Sequence, residues 1–250
     1  MKRVAVINVV GLSQDLIGEH TPNISAFASN SSVQQFLPPL PAVTCTVQSS
    51  ILTGSEPSEH GIVANGWHER VTKETSFWKQ SNALVHGTKI WDTLKATQPE
   101  ATVANMFWWF NMYSSVDIAV TPRPQYRSNG RKVPDIWTTP THLRQTLQDK
   151  HGQFPLFKFW GPAADISSSA WIANAVRHVD QHFDPTLLLA YLPHLDYGLQ
   201  KFGPEDPRMI GQAALLDDVA ASLIEDLMAR GRRILVVNEY AIVPVQQSCA

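Results

Sequence analysis

The sequence predicts an α/β protein built on a mainly parallel sheet with helices on both faces. Three observations carry this. Runs rich in β-branched and apolar residues recur at 4–10, 186–196 and 232–243. Segments of helical period stand among them, at 88–97, 168–182 and 209–230. The runs are apolar at nearly every position rather than at alternate ones, the pattern of strands buried on both faces. Strands alternating with helices in this way build parallel sheets through crossover connections.

The bulk properties agree. At 250 residues, 44% hydrophobic and 17% charged, the chain can form one large domain, 1–250, around a sizeable core. A formal charge of -2 gives no electrostatic case for binding nucleic acid or an anionic membrane. No apolar stretch reaches the roughly 18 residues of a membrane span. Lys2 and Arg3 precede an apolar run, but it contains Asn8 and lacks a small-residue cleavage pattern, so it reads as a first strand rather than a signal peptide. The two cysteines, Cys45 and Cys249, form neither a zinc spacing nor a disulfide framework. A reducing, cytoplasmic setting is the simplest expectation.

The elements follow in order. Val4–Val10 is the first strand and Gly11 breaks it. Thr21 and Pro22 open a short helix through Ile24 and Phe27, with the threonine as N-cap. The extended run PPLPAV leads into TCTVQSSILTG, where Val47, Ile51 and Leu52 mark a helix that Thr44 caps and Gly54 stops. After the loop SEPSEHGIVANGW come the helix 88–97 and the strand ATVANMFWWF. Between 112 and 165, the prolines, the basic loop TPRPQYRSNGRK and the segment FPLFKFWGP predict an irregular insertion draped over the sheet. The pattern resumes with helix 168–182, capped within Ser167–Ser169, then strand TLLLAYLPHLD and helix 209–230. Strand RRILVVNEYAIV reads as a core strand closing at Val243. Ligands of such sheets sit at the carboxyl ends of the strands. That places candidate sites after Val10, at Thr44, at His194–Asp196 and at Asn238–Tyr240.

The segments TPNI, PAVTCTVQSSILTG, EPSEHGIVANGW and YLPHLDYGLQKFGP, in this order, resemble the type I phosphodiesterase/nucleotide pyrophosphatase family of the alkaline phosphatase superfamily. Phosphonoacetate hydrolase lies in the same neighbourhood. The similarity runs along essentially the whole chain. It implies an alkaline-phosphatase-like fold and a hydrolase of phosphate esters or anhydrides acting on small phosphorylated substrates. It also implies a threonine nucleophile and two zinc ions that hold the phosphate. Thr44 falls on the nucleophile position, ten residues before the glycine of Thr-Gly. Family members continue past the last strand seen here, so the resemblance leads us to expect a chain cut short at its C-terminal side, with an unpaired sheet edge.

The resemblance keeps only part of the zinc ligand set. Val10 stands where the family has an aspartate. Asp196 is kept, but Gln200 replaces its histidine partner; Glu239 and Tyr240 stand for a later Asp-His pair. Thr44, Asp196 and Glu239 therefore remain as metal candidates, with Gln200 and Tyr240 as weaker neighbours. His194 would replace a lost nitrogen ligand if its strand ran on to Asp196. His20 and His60 are poorer candidates, and His60 matches a His-Gly-Ile loop with a structural role. Two carboxylates and a hydroxyl suit one oxygen-liganded ion such as magnesium or manganese better than two zinc ions. The metal matters because a hydroxyl is so weak an acid. A bound ion can lower a water pKa from about 15.7 to about 7, on the order of 12 kcal/mol. A helix N-terminus supplies only about 0.3–1 kcal/mol at an exposed site.

Other readings stand beside these. Losing its zinc ligands would make the protein a non-catalytic family member that binds a phosphorylated ligand or a partner. Asp196 and Glu239 would then simply hydrogen-bond at strand ends. Cys45, at a helix N-terminus, rivals Thr44 as nucleophile. Arg123, Arg127, Arg131 and Lys132 either hold an anionic leaving group or form a solvated loop. FWWFNMY at 107–113 either stacks a base or fills the core.

Overall fold

The structure is a computed structural model, and it describes residues 2–244. Cys249 lies outside the described residues. In chain order the elements are β1 (Val4–Val9), α1 (Pro22–Ser29), α2 (Thr44–Thr53), α3 (Pro57–His60), β2 (Gly66–His68), β3 (Thr75–Phe77), α4 (Ile90–Thr97) and β4 (Val103–Met106). Then follow β5 (Ile118–Pro122), β6 (Gln125–Tyr126), β7 (Lys132–Val133), β8 (Ile136–Thr139), α5 (Leu143–His151), α6 (Ile166–Phe183), β9 (Leu187–Leu192), α7 (His194–Phe202), α8 (Arg208–Ala229) and β10 (Arg233–Val237).

Six strands form the main sheet in the order β10-β1-β9-β4-β5-β8. Neighbours are parallel except for β8, which runs antiparallel to β5. Every residue of β4 and β9 is buried. Successive side chains of a strand point to opposite faces, so both faces are covered there. Helix α6 packs on β9 and β4, and α8 lies against α6 and α7. Buried side chains from β1, β4, β9, α6 and α8 share one core with Trp91, Trp108 and Phe154.

The stretch 112–165 departs from the expectation of a draped insertion. Its residues 118–122, IAVTP, are all buried and extend the main sheet as β5, and β8 closes that edge. The β6–β7 hairpin, carrying the basic loop, forms a separate two-stranded sheet. The last strand also differs. Among the described residues β10 pairs with β1 alone, as an edge strand rather than a core strand; it ends at Val237, and Leu235 is 52% exposed. Asn238, Glu239 and Tyr240 therefore sit in the loop after it.

Two helix starts are corrected as well. Val43, in extended conformation, is the N-cap of α2, and Thr44 is its first helical residue. Gly54 ends that helix with φ 66°, a left-handed position that glycine takes without steric cost. For α6 the cap is Asp165 rather than a serine; its carboxylate accepts from the Ser167 backbone N–H. Thr21 is the N-cap residue of α1 as expected, yet its hydroxyl donates to the Leu16 carbonyl and makes no capping bond. Asp217 on α8 accepts from the backbone N–H groups of Asn23 and Ile24 in its place.

Candidate active site

Four chain segments meet at the carboxyl end of the sheet: the end of β1, the start of α2, the first turns of α7 and the loop after β10. Gly11, just beyond β1, has φ 79°, and its backbone N–H donates to the Asn238 side chain at 2.9 Å. A Cβ there would lie 2.7 Å from Leu199 Cδ1, so a side chain at this position would both strain the positive φ and require the Leu199 side chain to shift. Val10 is fully buried; the family's aspartate position is filled here by a core side chain.

Thr44, Tyr240 and Asp196 form a hydrogen-bonded chain. Thr44 Oγ1 lies 3.2 Å from the Tyr240 hydroxyl, which donates to Asp196 Oδ1 at 2.9 Å. Gln200 Nε2 donates to the other oxygen, Asp196 Oδ2, at 3.0 Å. The two residues stand four apart on α7, so one helix face carries both. Burial raises the Asp196 pKa, and the bonds from Gln200 and Tyr240 oppose the rise. Burial also raises the Tyr240 hydroxyl, and the Asp196 and Glu239 charges add to this, so the phenol stays protonated.

A second cluster lies behind it. Glu239 Oε1 accepts from Asn8 Nδ2 at 2.6 Å and from Gln48 Nε2 at 2.5 Å. Gln48 is held in turn by the Trp109 backbone N–H, which donates to its Oε1 at 2.7 Å. Glu239 is 1% exposed, and burial pushes its carboxyl up to about 8 despite these bonds. Its Oε2 and the Oδ1 of Asn8 are buried without a hydrogen-bond partner. Asn8 and Gln48 did not stand out in the sequence. The available signal was a single amide in the otherwise apolar strand β1 and another on the buried side of α2.

Among the described residues, no group of three or more His, Cys, Asp or Glu side chains is gathered to hold a metal ion. Two zinc ions with nitrogen ligands do not fit this site. An oxygen donor set is present instead: Asp196, Glu239 with its bare Oε2, Asn8 with its bare Oδ1, and the Thr44 hydroxyl. Such donors suit a single hard divalent ion.

The remaining candidates are placed elsewhere. His194 begins α7 instead of continuing β9, and two residues along a helix turn it to the side away from Asp196. His60 is fully buried and structural: its Nδ1 accepts from the Ile62 N–H, so Nε2 carries the proton toward Ser50 Oγ at 2.9 Å. His20 is exposed. Cys45 is 1% exposed; burial and the Glu239 charge raise its pKa far above the ordinary thiol value, which removes the thiolate a nucleophile needs. Arg123, Arg127 and Arg131 are exposed on and beside the β6–β7 hairpin, and Lys132 leans over the Trp160 ring. Phe107, Trp108, Trp109 and Phe110 are core, each at most 5% exposed, and the Trp108 indole donates to the Ala190 carbonyl.

Comparison with known proteins bears on the fold and the family. The sequence profile of the family described as type I phosphodiesterase/nucleotide pyrophosphatase matches residues 4–249. An uncharacterized pyrophosphatase/phosphodiesterase of Schizosaccharomyces pombe is 24% identical over 257 aligned positions, covering 98% of this chain and 46% of that protein. Murine ectonucleotide pyrophosphatase/phosphodiesterase 5, an inactive threonine-to-alanine variant in complex with AMP, superposes with a TM-score of 0.64 at 18% identity. That match covers 96% of this chain and 57% of the other. Phosphonoacetate hydrolase from Sinorhizobium meliloti 1021, in complex with phosphonoacetate, gives 0.66 at 15% identity, covering 96% and 56%. The chain thus spans about half the length of these relatives. Fold and sequence agree: the chain belongs to the type I phosphodiesterase/nucleotide pyrophosphatase family.

Proposed function

We propose that the protein hydrolyses phosphate esters or anhydrides with Thr44 as the nucleophile. The observation that carries this reading is the hydrogen-bonded chain from Thr44 through Tyr240 to Asp196. A phenol has one proton, and Tyr240 gives it to Asp196. Thr44 must then donate its own proton to the Tyr240 oxygen. As Thr44 Oγ1 bonds to phosphorus, its proton passes to Tyr240 while the Tyr240 proton passes to Asp196. Burial makes Asp196 a stronger base than an ordinary carboxylate, which favours this direction. The bond from phosphorus to the leaving oxygen breaks, and that oxygen departs with the electron pair and takes a proton from solvent. Water then attacks the phosphothreonine and loses a proton to solvent, while the Thr44 oxygen leaves and regains its proton through Tyr240 from Asp196. At the start of α2 the Cys45 backbone N–H already donates to Asn65 Oδ1 at 2.9 Å, and the neighbouring N–H groups of that turn would serve the phosphoryl oxygens.

One divalent ion, magnesium or manganese, would be held by Asp196, Glu239, Asn8 and the Thr44 hydroxyl. When bound it supplies a Lewis acid that stabilises oxyanion charge and lowers the pKa of a ligated oxygen. The threonine-to-alanine replacement in the inactive murine protein, and the AMP it holds, support a threonine nucleophile and a nucleotide-like substrate.

A second reading is favoured by one observation: both Asp196 oxygens are already satisfied by Tyr240 and Gln200. An Asp196 so engaged without an ion suits a protein that binds a phosphorylated ligand without turning it over. Hydrolysis of bis(4-nitrophenyl) phosphate and 4-nitrophenyl phosphate with Mg²⁺, Mn²⁺ or Zn²⁺ added separates the two. The catalytic reading expects turnover that Thr44→Ala abolishes. Turnover that survives the substitution removes Thr44 from the mechanism, and ligand binding with no turnover under any ion selects the second reading.

A further inference from the structure

The last turn of α5 meets the C-terminal half of α6 through a cluster of imidazoles and an ammonium, to which no residue of the Thr44 site belongs. Lys150 and His151 come from α5, His178 and His182 from α6. His178 is 5% exposed. Its ring stacks on that of His182 with centroids 4.0 Å apart, and the His151 ring stands edge-on to it at 6.2 Å. The Lys150 ammonium lies 3.4 Å from His178 Nδ1. An ammonium only donates, so Nδ1 offers its lone pair and the one proton of the neutral ring sits on Nε2. A second proton, on Nδ1, would set two N–H donors against each other across that gap.

The carboxylates nearby are engaged elsewhere. Asp180, two residues along α6, pairs with Arg230 and Arg232, and Asp184 pairs with Arg3 and Arg232. Arg177 is matched by Asp226 of α8, and Asp149 of α5 accepts from Gln145 Nε2 at 2.6 Å. Among the described residues, the charges that bear on His178 are those of His182, Lys150 and His151, all positive. Burial first, and then these charges, push His178 down from 6.5 to about 4; burial and Lys150 lower His151 as well. An imidazole depressed in this way contributes its full stability above about 6.5 and loses it as the pH falls toward 4, because the opened chain takes the proton first.

The two halves of α5 are fastened differently. Leu143 and Leu147 are buried, and Arg144 and Gln148 donate to Asp135 at 2.7 and 3.0 Å. The last turn is held by the imidazole cluster and by the Trp171 indole, which donates to the Gly152 carbonyl at 2.9 Å. We propose that this contact is an acid-operated latch: protonation of His178 and His151 frees the last turn of α5 from α6 while the sheet stays folded. The proposal stands whether or not Thr44 is the nucleophile.

Hydrogen exchange on the full chain at pH 7 and pH 5, read by mass spectrometry and corrected for the intrinsic pH dependence of exchange, tests it. The opening equilibrium of the peptide spanning 147–153 should rise roughly twentyfold at pH 5, the factor given by a pKa that passes from about 4 to 6.5 on opening. Peptides of β1 and β9 should stay protected. His178→Gln, which keeps a polar side chain but does not titrate, should remove most of the rise. Lys150→Gln, at an exposed position, removes one opposing charge and should reduce it. Should thermal melts show that His178→Gln does not fold, Lys150→Gln decides, together with an NMR titration of the wild-type His178 ring, whose midpoint should fall well below 6.5. No rise at 147–153, a rise shared equally by β1 and β9, a rise that the folded variants keep in full, or an ordinary His178 midpoint would each overturn the proposal.

Discussion

With divalent ions chelated, Glu239→Gln is expected to remove most of the loss of stability that the protein suffers on going alkaline. Burial lifts the Glu239 carboxyl from its ordinary 4.5 to about 8. A carboxyl whose folded pKa lies above its unfolded one is held as the neutral acid. Its contribution to stability is complete below about 4.5 and is lost as the pH rises through about 8, because the unfolded chain releases the proton first. At about 1.36 kcal/mol per pH unit, the interval corresponds to roughly 5 kcal/mol. Glutamine is close in shape to the neutral acid and does not titrate. Urea unfolding in EDTA at about pH 5 and about pH 9 reads the difference as a change in ΔG. The wild type should lose several kcal/mol more than the variant between the two. Equal losses in both would refute the claim that the fold opposes this ionisation. Added Mg²⁺ or Mn²⁺ competes with the proton for the same oxygen, so it should stabilise the wild type more at the higher pH and leave the variant little changed.

Three other outcomes follow from the same geometry. Tyr240→Phe removes the hydroxyl between Thr44 and Asp196; kcat should fall on the order of 10²-fold with KM little changed, as steady-state kinetics would show. Asp180→Ala removes the nearer carboxylate from Arg232, whose side chain is fully buried, and leaves it the half-exposed Asp184 at 3.4 Å and the Pro185 carbonyl. The cost in chemical denaturation should be about 3 kcal/mol, the low end for breaking a buried ion pair. Cys45, buried and held as the thiol, should resist iodoacetamide in the native protein even at alkaline pH and react only on unfolding, as peptide mapping would record.

Much of the sheet was legible because β1 and β9 are apolar on both faces, a pattern little else produces. β5 was harder to see, since prolines and basic residues flank its short apolar run and suggest a loop; its place in the sheet comes from pairing with β4 and β8, which are distant in sequence. The strand pattern TLLLAYLPHLD runs on into the first three residues of α7, His194–Asp196. Pro193 and Gly198 depress local helix propensity, and the packing of Leu195 and Leu199 against the Gly11 turn overrides it. That change of element decided His194, because residues two apart share a strand face but not a helix face. The site positions of Thr44, Asp196 and Tyr240 came from motif order. Asn8 and Gln48 were missed because an amide reveals its role only through its partner, and Glu239 lies 231 and 191 residues away from them.

Rapid quench of the protein during turnover of bis(4-nitrophenyl) phosphate, followed by peptide mass spectrometry, tests the assignment of Thr44 most directly. A covalent phosphoryl adduct should appear on the peptide containing Thr44, form before steady state, and vanish in Thr44→Ala together with turnover. Turnover with no adduct on Thr44, or an adduct on another residue, would contradict it.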